Sequence, residues 1–256
     1  MTGTLALIGL GPGSKEHLTL RAADVLHASD AVIGYSAYVD LVAAWFPSET
    51  RRWIRGALGE EHARATEAIR LARDGLRVAL VSTGDATIYG MGAPLWESLA
   101  SQDWDSAAPD PPVEIVPGVT AALSANALLG APLADDLALI SLSDVVAPWS
   151  LIAERLDAAA RADFVLALYN PASSRRRTGI GEAQRIILEH RAAATPVALV
   201  RNALRPDQQV CVTTLADFLT AELAIDMSTV LIVGNRQTAR LGDHLVSRRV
   251  PREVSQ

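Results

Sequence analysis

Cysteine is almost missing: Cys211 stands alone in 256 residues. A single thiol excludes an internal disulfide, a cysteine-rich zinc site and a Cys-ligated iron–sulfur cluster. The five histidines, His17, His27, His62, His190 and His244, show no H-x-x-x-H spacing, so no metal is expected. Lysine is equally scarce, with Lys15 the sole example, and the net charge is −6. That balance lacks the basic footprint of a nucleic-acid surface, and no nucleic-acid partner is expected. Long apolar runs are missing too. Leu5–Leu10 is too short for a signal peptide or a membrane span, and no basic n-region precedes it. The chain therefore reads as cytoplasmic, without a membrane partner.

What is present is a core-forming composition. Half the residues are apolar, 20% are charged and the mean hydropathy is +0.20, which fits a compact chain of one large or two small domains. Short apolar runs alternate with longer amphipathic ones, and the strand candidates are Leu5–Ile8, Ala31–Ile33, Arg51–Ile54, Arg77–Val81 and Val113–Val116. Between them, helical spacing marks Leu18–His27, Tyr35–Trp45, Glu60–Arg73 and Ala93–Leu99. In the third of these, Ala65, Ile69 and Ala72 share a face and Gly75 supplies the stop. This alternation predicts an α/β domain over residues 1–116 with a mainly parallel sheet.

A second α/β domain is predicted over residues 117–256. It opens on a small-residue helix, Ala121–Leu129, and helices also fit Trp149–Ala160 and Gly181–His190. Strands fit Leu137–Leu142, Phe164–Leu168, Val197–Val200, Gln209–Thr213 and Thr229–Val233. The last three strands follow one another with little helix between them, which points to a mixed sheet with antiparallel pairs. Val250–Gln256 reads as a loose polar tail.

Four small-residue turns each follow an apolar run: Gly9-Leu10-Gly11-Pro12-Gly13, Ser82-Thr83-Gly84-Asp85, Pro117-Gly118-Val119-Thr120-Ala121 and Leu168-Tyr169-Asn170-Pro171. Such turns at the carboxyl ends of strands leave backbone N–H and C=O groups open to a small polar ligand. The first turn is no dinucleotide fingerprint. Its spacing is not G-x-G-x-x-G, and Pro12 removes an N–H donor. Gly34 and Tyr35, not an acid, follow the second strand, which argues against NAD and the common Rossmann-type methyltransferases.

The order of a G-x-G-P-G turn, a G-D turn ending in the aromatic-glycine pair Tyr89-Gly90, and P-G-V-T-A resembles the tetrapyrrole methyltransferase family. The resemblance runs to about Gly234 and sharpens at several segments. These are Gly34-Tyr35-Ser36-Ala37-Tyr38, Ile140-Ser141-Leu142-Ser143-Asp144 with Pro148-Trp149, Ala167–Pro171 and Asp226–Thr229 with Val233-Gly234-Asn235. These segments resemble the branch that acts on precorrin rings in cobalamin biosynthesis. One departure is Ala86, where the family has proline after G-D; the loss of a fixed φ predicts a looser turn.

The resemblance implies two α/β domains with S-adenosylmethionine folded in a cleft between them, a homodimer, and an anionic tetrapyrrole as partner. It implies methylation at C17 of precorrin-3B with contraction of the macrocycle, leaving S-adenosylhomocysteine. By motif position the donor site comprises Pro12, Thr83, Gly84, Asp85, Ile88, Thr120 and Ala121, then Tyr169, Asn170, Asn202, Ala203 and Thr229. Asp85, Ser143 and Asp144 are the polar candidates for proton movement during ring contraction. Ser143 and Asp144 also suit a helix N-cap before Trp149. Gly11, Tyr35, Tyr38 and Arg176 are assigned to the substrate.

Arginine near such a site has a physical purpose, because its planar fork pairs with carboxylates. Arg175-Arg176-Arg177 lies just beyond the Tyr169-Asn170 turn and reads either as such a group or as a solvated loop, and Arg51, Arg52 and Arg55 flank an early strand. Other readings stay open: a sibling methylase acting at another ring carbon or on a cobalt-loaded ring, a same-fold methylase of a macromolecule, and a sensor of the donor or a corrinoid.

Overall fold

The computed structural model describes residues 3–172 and 178–249. The chain divides between Ala121 and Ala122 into two compact units.

The first unit alternates strand and helix as its apolar spacing dictates. Its elements are β1 (Thr4–Gly9), α1 (Leu20–Ala28), β2 (Ala31–Tyr35), α2 (Ser36–Trp45), β3 (Arg52–Gly56), α3 (Glu61–Arg73), β4 (Arg77–Ser82), α4 (Gly92–Ala100) and β5 (Val113–Val116). All five strands run parallel in the order β3-β2-β4-β1-β5. Strands covered on both faces need continuous apolar runs, and β1 has one. Leu5 and Leu7 join a cluster with Ile69 of α3 and Leu95 of α4. Ala6 and Ile8 join the opposite cluster with Leu26 of α1 and Val42 of α2. Each such fully buried Leu or Ile contributes roughly 1.5–3 kcal/mol.

The strand order locates the site. The connection leaving β1 passes β4 to reach β2, whereas the one leaving β4 passes β1 to reach β5. Between β1 and β4 the winding reverses, and the loops leaving their carboxyl ends diverge to form a crevice. The Gly9–Gly13 and Ser82–Asp85 turns leave those two strands.

The second unit holds α5 (Ala121–Leu129, its first residue at the division), β6 (Gly130–Ala131), β7 (Leu137–Ser141), α6 (Trp149–Arg161), β8 (Val165–Tyr169), α7 (Thr178–Leu188), β9 (Pro196–Arg201), β10 (Gln209–Thr214), β11 (Thr229–Val233), β12 (Thr238–Leu241) and β13 (His244–Ser247). Its main sheet has the order β10-β9-β11-β8-β7. Only β7 and β8 pair in parallel; the other three pairings are antiparallel. This is the mixed sheet predicted from the closely spaced strands. One face is packed by Ile152 and Leu156 of α6 and Ile186 and Ile187 of α7 against Leu166, Leu168 and Leu231.

A small sheet, β12-β13-β6, was not anticipated. Its hairpin closes on Gly242-Asp243, with Leu241 opposite His244 and Gly242 at φ +62°. That is a short-range hairpin signal, although the strands flanking it are too short and charged to stand out in the sequence. The Val250–Gln256 tail lies outside the described residues.

The units divide five residues beyond the boundary placed after Val116. The Pro117–Thr120 turn stays with the first unit because its backbone is locked there. A Cβ on Gly118 would lie 2.3 Å from the Gly84 carbonyl oxygen and 2.7 Å from the Gly9 carbonyl carbon.

Candidate functional site

In the first unit, three of the predicted turns meet at the carboxyl edge of the parallel sheet. Gly11 and Gly84 form an isolated antiparallel bridge. Gly11 N–H donates to the Gly84 carbonyl at 3.1 Å, and Gly84 N–H donates to the Gly11 carbonyl at 2.7 Å. Leu10 N–H donates to the Ser82 carbonyl at 2.8 Å, continuing the β1–β4 contact into the loops. Gly84 sits at φ +67°, a left-handed conformation that glycine adopts without a steric penalty. A Cβ on Gly9 would lie 2.7 Å from both Gly118 N and the Gly84 carbonyl oxygen, so only bare backbone fits. Pro12 is buried in this cluster, and Thr120 is 6% exposed.

Asp85 ties the second turn to the third. Its Oδ1 accepts from Thr87 N–H at 2.9 Å and from Thr87 Oγ1 at 2.6 Å, and its Oδ2 accepts from Gly118 N–H at 3.2 Å. Burial pushes the carboxyl pKa up. The bonds from the Thr87 side chain and backbone, from Gly118 and from Ile88 outweigh it, leaving Asp85 below the ordinary carboxylate range. Asp85 is therefore an ionised acceptor and brace at neutral pH, poised as a base rather than an acid. Ala86, in the place of the family's proline, is buried in the α3–α4 cluster, and its carbonyl accepts from Gly92 N–H at 2.9 Å. Packing and that bond fix the turn where the proline would have fixed φ. Ile88 is partly buried, and Tyr89 beyond it holds φ +53°.

Tyr35 ends β2 at the same edge, and its ring meets that of Tyr38 edge-on at 5.2 Å. Tyr38 packs against the α1–α2 cluster. The early arginines are structural. Arg51 donates to the carbonyls of Ser29, Phe46 and His27, each at 3.0 Å, before β3 begins and hence at the amino edge. Arg52 begins β3 at that edge, and Arg55 pairs with Asp40 at 2.8 Å. A cavity of about 350 Å³ also opens at the amino edge, rimmed by Arg21 paired with Glu114 and Arg77 paired with Asp30. It lies on the edge opposite the turns.

The second unit gathers its own predicted residues at one sheet edge. Strands β7, β8 and β9 run in one direction and β11 in the other, so the ends at Ser141, Tyr169 and Arg201 lie beside the start at Thr229. Asn170 and Asn202 follow β8 and β9 at φ +52° and +50°. Asparagine tolerates the left-handed region better than most residues. Asn202 is anchored by its N–H to the Ser228 carbonyl at 3.1 Å and by Nδ2 to Asp207 Oδ2 at 2.6 Å. Ala203 follows it, partly buried. Tyr169 Oη accepts from Ala122 N–H at 2.9 Å, at the first turn of α5, where a helix has N–H groups without internal partners. Ala121 begins that helix.

Two further placements revise what residue type alone implied. The Thr229 hydroxyl serves its own turn, accepting from Asp226 N–H and bonding the Ala224 carbonyl, both at 3.2 Å, and the residue is 3% exposed. Only its backbone is left to meet a ligand. Ser143 and Asp144 do not cap α6: the N-cap is Pro148, with no side-chain bond. Asp144 is exposed, and Ser143 N–H donates to Ser141 Oγ at 3.3 Å. The Arg175–Arg177 run, with the Arg176 assignment, lies outside the described residues.

A family model, Tetrapyrrole (Corrin/Porphyrin) Methylases, matches residues 4–219. The chain belongs to the tetrapyrrole methylase family. It is 43% identical to the cobalt-factor III methyltransferase of Priestia megaterium over 97% of its own length, spanning 45% of that protein. It is 39% identical to a probable cobalt-factor III C(17)-methyltransferase of Salmonella typhimurium, covering 91% of this chain and 93% of that protein. A precorrin-3B C(17)-methyltransferase of a Sinorhizobium species is also 39% identical, over 93% and 91% of the two chains. Among solved structures, the methyltransferase CobJ superposes with TM-score 0.88 at 33% identity, covering 96% of this chain and all of that one. A uroporphyrin-III C-methyltransferase of Thermus thermophilus, solved with S-adenosylhomocysteine, shares the fold at TM-score 0.68 and 23% identity, over 91% and 92% of the chains.

Within this tetrapyrrole methylase, sequence reasoning missed the residues that hold the turns in place. Thr87, Asp207 and Asp226 each accept or donate at the base of a predicted turn. Ser141 carries no signal of its role in the sequence. The β7–β8 register, which sets Ser141 opposite Tyr169, is not legible in a single strand. Among the described residues, one group could hold an ion, Asp157, Glu189 and His190, with all ligand atoms within 4.8 Å of one another. Its members pair instead: His190 with Asp157 at 2.7 Å, and Glu189 with Arg185 at 2.5 Å. No helix of the described residues is long and apolar enough to cross a membrane.

Proposed function

We propose that this chain methylates C17 of precorrin-3B from S-adenosylmethionine, with ring contraction to precorrin-4, in cobalamin biosynthesis. The observation that carries the reading is the joined set of turns at the carboxyl edge of β1, β4 and β5, in a chain of this family. Relatives with C(17)-methyltransferase in their names match along nearly their whole length.

The first-unit residues fit the donor chemically. Asp85 is ionised and braced by Thr87, Gly118 and Ile88, and its negative charge suits an ammonium or a ribose hydroxyl. Gly84 presents bare backbone, and a Cβ there would meet nothing nearer than Thr120 Cα at 3.7 Å. Pro12, Thr83, Gly84, Asp85, Ile88, Thr120 and Ala121 are assigned to the donor, with Tyr169, Asn170, Asn202, Ala203 and the backbone of Thr229. When bound, S-adenosylmethionine supplies an electrophilic sulfonium methyl. The chain contributes position: turns fixed before binding hold reactants in line, an effect on the order of 7–11 kcal/mol at best. No protein nucleophile is required, because an electron-rich ring carbon of the substrate attacks.

Gly11, Tyr35, Tyr38 and Arg176 are assigned to the polycarboxylate macrocycle. Asp85, Ser143 and Asp144 are assigned to proton movement during ring contraction, Asp85 as an ionised base. A cytoplasmic homodimer belongs to the same reading and rests on the family resemblance alone. A second reading, in which the substrate already holds cobalt, is favoured by the names of the Priestia megaterium and Salmonella typhimurium relatives.

The test is incubation of the purified chain with labelled S-adenosylmethionine and either metal-free precorrin-3B or cobalt-factor III. Product mass and optical spectrum decide between the two. A singly methylated, ring-contracted product from either is expected; methylation of neither defeats the proposal.

A further inference from the structure

One hydroxyl in the second unit is left with a hydrogen to give. Ser141, the last residue of β7, accepts from Asn170 Nδ2 at 2.9 Å and from Ser143 N–H at 3.3 Å. A serine oxygen has two lone pairs and one hydrogen. With both lone pairs engaged, the hydrogen points away from both donors, and no acceptor for it occurs among the described residues. Ser141 is partly exposed, so a ligand can reach it.

The sheet fixes which way this group faces. Ile140 and Leu142, its neighbours, belong to the apolar cluster packed by α6 and α7. Side chains alternate along a strand, so Ser141 projects from the opposite face. In register it pairs with Tyr169, whose Oη is bound to the start of α5 on that same face. Ser141 thus lies at the edge where the donor assignments Tyr169 and Asn170 cluster, held by two bonds that restrict its rotation.

We propose that Ser141 is a substrate-binding residue whose hydroxyl donates a hydrogen bond to a carboxylate oxygen of the tetrapyrrole. The inference rests on the tetrapyrrole reading above and deepens it. Hydroxyl-to-carboxylate bonds are among the stronger neutral-to-ion pairs. A hydroxyl already oriented by Asn170 and Ser143 loses little freedom on binding.

The experiment compares the unaltered chain with Ser141→Ala and Ser141→Thr. Three quantities are read for each: the KM for the tetrapyrrole, the Kd for S-adenosylhomocysteine by calorimetry, and the melting temperature. Ser141→Ala should raise the tetrapyrrole KM about tenfold, the scale of one lost hydrogen bond to a charged group. The S-adenosylhomocysteine Kd should change by less than about twofold, and Ser141→Thr should recover most of the KM. An unchanged KM in Ser141→Ala overturns the inference. So does an equal weakening of S-adenosylhomocysteine binding, which would make Ser141 a support for Asn170 alone. If Ser141→Ala fails to fold, Ser141→Cys, which keeps the size but donates only weakly, decides: a raised KM supports the hydroxyl and an unchanged one rejects it. Absence of methylation by the unaltered chain overturns the functional reading, and this one with it.

Discussion

Gly11 and Gly84 each donate a backbone N–H to the other's carbonyl, at 3.1 and 2.7 Å, in an isolated bridge beyond the ends of β1 and β4. The pair carries the sheet ladder past the strands and into the loops. Gly9 and Gly118 press against the same point, with no room for a Cβ on either. The turns are therefore one packed object, and its rigidity belongs to the site rather than to the core.

Gly118→Ala should break that object. The added methyl would sit 2.3 Å from the Gly84 carbonyl oxygen and 2.7 Å from Gly9 backbone atoms, none of which can rotate away. Overpacking against fixed backbone costs about 1–3 kcal/mol, occasionally more. Urea melts should show that loss together with a large fall in S-adenosylhomocysteine affinity. Gly181→Ala in α7 is the control: its Cβ would meet only Leu219 Cδ1 at 3.9 Å, so stability should hold or rise by up to about 1 kcal/mol.

Asp85→Ala should affect stability and donor binding together. It strands the Gly118 N–H and the Thr87 groups, at a cost of about 1–3 kcal/mol. Since the folded-state pKa lies below the ordinary value, the carboxylate stabilises the fold fully above that value. The stabilisation fades as pH falls through the folded pKa. The stability gap between the unaltered chain and Asp85→Ala should therefore narrow on acidification. A gap that is flat from neutral pH to pH 2 would remove Asp85 as the brace.

Much of this architecture was legible because parallel sheets demand it. Runs such as Leu5–Ile8 and, after Arg77, Val78–Val81 are apolar at every position, as strands buried on both faces must be, and both lie within strands. The turns were legible because bare backbone requires glycine, and glycine shows in a sequence. What stayed hidden depends on register and reach. Arg51, chosen for its charge, donates to three carbonyls at the amino edge. Ser141, passed over, sits opposite Tyr169 because β7 and β8 pair in one register out of several. The β12–β13 hairpin escaped notice because four-residue strands carry too little periodicity.

Asp30 offers a cleaner acid titration. Hydrogen bonds from the Arg77 side chain, against some desolvation, lower its pKa to about 2. The pair joins the starts of β2 and β4, with Arg77 Nη2 to Asp30 Oδ1 at 2.7 Å. A lowered carboxylate pKa means its stabilisation is complete above the ordinary range near 3.8 and gone below about pH 2. The Arg77 side chain is exposed and that of Asp30 partly so, and solvent screening limits the pair to no more than about 1 kcal/mol. Asp30→Asn should match that small deficit at pH 7 in low salt, lose it in 1 M salt (about a 3 Å screening length) and lose it again near pH 2. A deficit that survives acid would assign the effect to the Arg77 backbone N–H bond instead.

Arg191 should prove costly to remove although it lies in no turn. It is 6% exposed and donates to the carbonyls of Phe164 and Gly234, joining the approach to β8 with the end of β11. Burial lowers its pKa to about 10, with Asp163 opposing the shift. Arg191→Met keeps the bulk and strands both carbonyls, so a loss of about 3 kcal/mol in urea melts is expected, the scale of breaking a buried charged contact. The alkaline limb gives a second check. A basic group whose folded pKa is below its unfolded one leaves the unfolded chain holding more protons above pH 10, so this residue makes stability rise with pH there. Arg191→Met lacks that contribution, and its deficit relative to the unaltered chain should widen above pH 10. A deficit independent of pH would mean that the guanidinium is better solvated than its burial implies.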